Sequence, residues 1–92
     1  MTTTVRVVVS GRVQGVWYRA WTEQTASALG LDGWVRNRRD GSVEAVLSGA
    51  ESDVEAMISA LWEGPDLAAV NAVDRYEHSE PVAPGFVVKP TA

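Results

Sequence analysis

The sequence predicts an α+β fold in which two helices pack on one face of an antiparallel sheet. Short β-branched segments alternate with two segments of helical period. Glycine or proline stands wherever one period gives way to the next. The chain has 92 residues, 46% hydrophobic and 22% charged, which matches a globular composition and suffices for one core, so a single domain over 1–92 is expected.

Val5, Val7 and Val9 share one side of the first strand, Val5 to Ser10, where β-branching favours extended backbone. Gly11 and Gly15 turn the chain into a loop. A helix is expected from Tyr18 to Leu29, because Tyr18, Thr22, Thr25/Ala26 and Leu29 recur at helical spacing, with Trp21 at the margin. Gly30 suits the left-handed residue that ends a helix, and Leu31 is placed to fold back on the last turn. Asp40-Gly41 between Trp34–Arg38 and Ser42–Leu47 signals a hairpin, with Val43, Ala45 and Leu47 on one face.

Beyond Gly49, Ser52 and Glu55 have the spacing of a capping box that would open a second helix. Val54, Met57, Ile58 and Leu61 are its apolar stripe, and Gly64-Pro65 stops it. Val70 to His78 is a weakly alternating strand. Phe86 to Lys89 is a short terminal strand that flanking prolines assign to an edge. The order β-α-β-β-α-β with a short terminal strand is that of a ferredoxin-like sandwich.

Composition excludes whole classes of chemistry. There is no Cys, and His78 is the only imidazole, so thiol catalysis and the common zinc frameworks are out and no metal site is expected. Gly-x-Ser-x-Gly is absent. A net charge of −4 argues against nucleic acid as a partner. No apolar run approaches the roughly 20 residues that span a bilayer, and the first residues lack the basic and apolar regions of a signal peptide. No membrane association and a cytoplasmic location are expected. Of the eight basic residues all but Lys89 are Arg, planar donors suited to a small anion.

The loop Gly11-Arg12-Val13-Gln14-Gly15-Val16-Trp17 feeds a helix N-terminus, where unpaired N–H groups and the helix dipole favour an anion. Arg19 falls in the first helical turn, where a cation opposes the dipole unless an anion compensates it. The plain alternative is that the glycines serve the turn and the Arg is solvated. Arg36, Arg38 and Arg39 form a basic run that is either a solvated strand end or an electrostatic funnel. His78 reads as a surface or half-buried side chain. Trp34, Trp62 and Tyr76 read as core or groove aromatics, and Glu51, Asp53 and Glu55 as charges at a helix start.

Gly11-Arg12-Val13-Gln14-Gly15-Val16-Trp17-Tyr18-Arg19 resembles the acylphosphatase signature G-R-V-Q-G-V-x-F-R. Gly33-Trp34-Val35-Arg36-Asn37, followed by Asp40-Gly41-Ser42-Val43-Glu44, resembles that family's second signature. The resemblance implies hydrolysis of an acyl phosphate to a carboxylate and inorganic phosphate, without cofactor or metal. It assigns phosphate binding to Arg19 and to the backbone of Val13, Gln14, Gly15, Val16 and Trp17, and orientation of the attacking water to Asn37. Tyr18 stands where Phe is usual, and its extra hydroxyl needs a partner or water. A small acyl phosphate is the expected partner, phosphate the product and inhibitor, and the protein a monomer. The alternatives are a carbamoyl-phosphate-handling domain of larger maturation factors, which the short length disfavours, and a non-catalytic anion-binding module, for which Asn37 would be superfluous.

Overall fold

The computed structural model describes residues 2–92; Met1, which opens the expected domain, lies outside the described residues. The elements are β1 (Thr2–Arg12), α1 (Tyr18–Ala28), β2 (Asp32–Asn37), β3 (Val43–Ala50), α2 (Glu51–Glu63), β4 (Ala69–Glu77) and β5 (Phe86–Val88). The strand order is β4-β1-β3-β2-β5. β1 pairs antiparallel with both β3 and β4, and β2 antiparallel with β3.

β5 takes the edge beside β2 but runs parallel to it, from Phe86 opposite Gly33 to Val88 opposite Val35, so the sheet is mixed there. The direction follows from topology. β4 occupies the opposite edge, and the chain returns past the end of the sheet where β4 stops. It can re-enter only in the direction of β2. Asp32 latches this return: its Oδ1 accepts from the Gly85 N–H at 2.8 Å, and the Gly33 N–H donates to the Gly85 carbonyl at 2.9 Å.

Both helices cover one face. Val7, Val9, Val35 and Leu47 of the sheet are buried beneath Tyr18 and Ala26 of α1 and Val54, Met57 and Leu61 of α2. α1 ends as its Gly30 implies. The Leu31 N–H bonds to the Ala26 carbonyl and the Gly30 N–H to Ser27, both at 3.0 Å, and Leu31 is buried against the core. α2 departs from expectation at its start. β3 extends to Ala50, held opposite Thr2, and the helix follows at once with Ala50 as an N-cap that has no capping side chain. Ser52 therefore lies inside the first turn and forms no capping box. Glu51 and Asp53 supply the favourable charge there, while Glu55 pairs with Arg75 at 3.0 Å.

The Tyr18 hydroxyl is accounted for. It donates to the Leu61 carbonyl at 2.6 Å, tying the first turn of α1 to the last turn of α2, and burial pushes its pKa upward so that it stays protonated. Tyr18→Phe keeps the ring but orphans that carbonyl. It is expected to cost about 1 kcal/mol, or roughly 4–8 °C in thermal midpoint, read by calorimetry.

The helix-free face carries a charged ladder. Glu44, on the central strand β3, accepts from Arg36 at 2.7 Å and from Arg6 at 2.9 Å. Arg6 also lies over the Tyr76 ring, and Arg36 and Lys89 lie over Trp34. Trp34 and Tyr76 are thus not core residues: each supports a cation and lines a surface groove. Trp62 is an exposed residue of α2.

Burial pushes the Glu44 carboxyl up, but hydrogen bonds from Arg36 and Arg6 outweigh it and hold the group below the usual glutamate range. A depressed folded pKa means that Glu44 contributes its full stability above its unfolded value of 4.5 and loses it as pH falls through the lower folded value. Glu44→Gln is expected to cost about 2 kcal/mol at pH 7. The gap from the parent should narrow in acid, as thermal melts across pH would show.

Candidate active site

The loop into α1 begins with a bulge. The β1–β4 register shifts between Ser10 and Gly11, where φ is +121°. A Cβ on Gly11 would lie 2.2 Å from the Ala69 carbonyl oxygen, so only glycine turns the chain out of the sheet here. Val13 then anchors the loop in the core. Gln14 ties it to the β2–β3 hairpin, its Nε2 donating to the carbonyls of Arg38 at 2.7 Å and Ser42 at 2.8 Å. The hairpin is itself closed by the Arg38 N–H to the Ser42 carbonyl at 2.8 Å, with Gly41 left-handed. Asp40 Oδ1 accepts from both the N–H and the hydroxyl of Ser42, and those bonds hold its carboxyl below the usual aspartate range.

Gly15 and Trp17 have φ of +73° and +68°, and Val16 between them does not have positive φ. Left-handed residues in a glycine-bearing turn of this kind are what a nest of N–H groups for an anion requires. Trp17 is the only non-glycine residue with positive φ among the described residues, a conformation costing about 1–3 kcal/mol. It is also the N-cap of α1 and supplies no capping side chain. The first-turn N–H groups of α1 are thus left uncapped by Trp17, with Arg19 beside them.

A cleft of about 250 Å³ brings Val13, Gly15, Trp17 and Arg19 together with Asn37, and Val88 of β5 helps to wall it. Gln14 and Val16 belong to the loop but do not line this cleft; Gln14 is turned to the hairpin and Val16 packs against the core. No Asp, Glu or His lines it. Arg19 has no carboxylate within ion-pair reach among the described residues. Asn37 ends β2, opposite Val43, and its carbonyl accepts from the Ala92 N–H at 3.1 Å. Its side-chain Oδ1 is buried without a hydrogen-bond partner among the described residues. Thr22 Oγ1 shares that condition, but Thr22 faces the core and Asn37 faces the cleft.

The basic run divides. Arg36 is engaged by Glu44 on the helix-free face, Arg38 lies 3.7 Å from Asp40, and neither they nor Arg39 line the cleft. His78 is half-buried just beyond β4. Among the described residues no three His, Asp or Glu side chains converge as metal ligands would, and no helix is long and apolar enough to cross a membrane.

The model of the acylphosphatase family matches residues 5–88. The chain belongs to the acylphosphatase family. It is 52% identical over 86 residues to an acylphosphatase of Rhizorhabdus wittichii, covering 94% of this chain and 87% of that one. It is 54% identical over 94 residues to acylphosphatase 2 of Ralstonia nicotianae, covering 99% of each. The solved structure of an acylphosphatase from Coxiella burnetii superposes with a TM-score of 0.91 at 39% identity, over 96% of this chain and 93% of that one. The ferredoxin-like α+β fold expected from the element order is therefore that of the acylphosphatases.

Proposed function

We propose that this chain hydrolyses acyl phosphates to a carboxylate and inorganic phosphate, with phosphate held by Arg19 and the amides of the cleft-lining loop residues Val13, Gly15 and Trp17 and the attacking water oriented by Asn37. The observation that carries this reading is the buried, unpartnered Oδ1 of Asn37 in the same cleft as Arg19 and the loop amides. An orphaned acceptor costs about 1–3 kcal/mol, and a water between it and a bound phosphate would satisfy it. A pure anion-binding module has no use for that acceptor.

The chemistry suits the groups present. Phosphoryl transfer asks chiefly for alignment and for neutralisation of the equatorial oxygens. The guanidinium and the nest of N–H groups supply the second. Water attacks phosphorus, the bond from phosphorus to the carboxyl oxygen breaks, and the carboxylate leaves with the electron pair. A carboxylate needs no proton to leave, so a general acid is dispensable. An amide is no base and no carboxylate or imidazole lines the cleft. The water's proton therefore passes to a phosphoryl oxygen or to solvent.

The reading includes a cytoplasmic monomer whose partner is the small acyl phosphate. Its test is release of phosphate from acetyl phosphate by the purified protein, before and after dialysis against a chelator. Phosphate release unchanged by the chelator, with inorganic phosphate a competitive inhibitor, is expected. Loss of the rate on dialysis and recovery with magnesium or zinc would overturn the mechanism.

A further inference from the structure

A second cavity, of about 450 Å³, lies beside the phosphate cleft and is lined by Val16, Trp17, Trp21, Pro65, Asp66 and Leu67 together with Gly64. Trp17 walls both. Trp17 is 62% exposed with its backbone held left-handed, and Leu67 is 73% exposed. Apolar side chains so open to solvent mark a place where apolar surface is to be covered. The walls are preformed. Trp21 packs against the Tyr18 ring in a tilted arrangement with centroids 5.4 Å apart, and the Ala68 N–H closes a turn on the Pro65 carbonyl at 2.9 Å that sets Leu67 in place.

We propose that this groove receives the acyl group of the substrate, and that the preferred acyl phosphates carry an uncharged apolar chain or ring. The proposal rests on the reading of the cleft as the phosphate site. In an acyl phosphate one oxygen and one carbonyl carbon separate phosphorus from the acyl chain. The chain therefore emerges beside whatever walls the phosphate, and on one side that wall is Trp17. The groove has no cation among its lining residues, and its one charged residue is Asp66. An acyl group bearing a second anion would meet a carboxylate with nothing to neutralise it, whereas an apolar group would cover the two tryptophans and Leu67.

The test compares acetyl, benzoyl and 4-carboxybenzoyl phosphate on the parent, on Leu67→Ser and on Asp66→Lys. Both substitutions are at exposed positions outside the phosphate cleft. Dividing each variant's kinetics by the parent's cancels the reactivity of the substrate itself. The parent is expected to show a KM for benzoyl phosphate about tenfold below that for acetyl phosphate, and no such gain for the carboxylated ring. Leu67→Ser should raise the KM for benzoyl phosphate about threefold or more relative to that for acetyl phosphate. Asp66→Lys should lower the KM for 4-carboxybenzoyl phosphate selectively. Equal response of all three substrates to both substitutions would overturn the groove as the acyl site. Hydrolysis of none of the three by the parent would instead bring down the underlying hydrolase reading, and the proposal with it.

Discussion

Arg19→Lys is expected to lower kcat/KM for an acyl phosphate by about two orders of magnitude or more, even though the charge is kept. A guanidinium offers two parallel N–H bonds to two phosphoryl oxygens, whereas an ammonium on a flexible stem is a point charge. The loss of a well-placed contact to developing charge costs on the order of 10²–10³ in rate. Arg19→Ala should go further and also lose the stabilisation by inorganic phosphate. In the absence of phosphate the same variant should be slightly more stable than the parent, by about 0.3–1 kcal/mol. A cation in the first turn of α1, with no acid nearby in that turn, opposes the helix dipole. Kinetics and melts with and without phosphate check all three statements. Parent-like kinetics in Arg19→Lys would remove Arg19 from the phosphate.

Asn37→Ala is expected to fold, to bind inorganic phosphate about as well as the parent, and to lose about 10²–10³ in kcat. The reasoning separates two kinds of contact. A group that holds phosphate throughout affects binding as well as rate, while one that holds only the attacking water affects the rate alone. The substitution should not harm the fold. It deletes a buried acceptor that has no partner among the described residues, while the backbone pairing of Asn37 with Val43 stays. Phosphate-dependent thermal shifts with single-turnover assays on this variant and on Arg19→Ala decide the roles. If Asn37→Ala lost phosphate binding while Arg19→Ala kept it, the two assignments would be reversed.

Much of the molecule was legible in local chemistry. The valines of β1, the stripe Val54-Met57-Ile58-Leu61, the left-handed Gly30 and the Asp40-Gly41 turn each declare an element through forces that act within a few residues. The same holds for the loop into α1 and for Arg19 and Asn37, which stand in motifs long enough to reveal a family. The capping box failed because a tertiary contact outranked a local one. Pairing with Thr2 holds Ala50 extended and the helix starts directly after it at Glu51, so Ser52 falls inside the first turn instead of at the N-cap.

What long-range packing alone settled lies between elements. The side chain of Gln14 is bound to carbonyls 24 and 28 residues away, and nothing in its neighbourhood announces that. Arg36 belongs to Glu44 rather than to the cleft, because the alternation of β2 turns it to the helix-free face, where Glu44 waits on the next strand. β5 runs parallel because β4 ends at the far edge. Residue types and spacing are enough to suggest an anion at the start of α1, since a helix start and its loop are contiguous in the chain, and the family resemblance is what makes that anion a phosphate. The meeting of Arg19 with Asn37 in one cleft, and the burial that orphans the Asn37 Oδ1, depend on strands and helices that come together only when hydrophobic burial closes the sandwich.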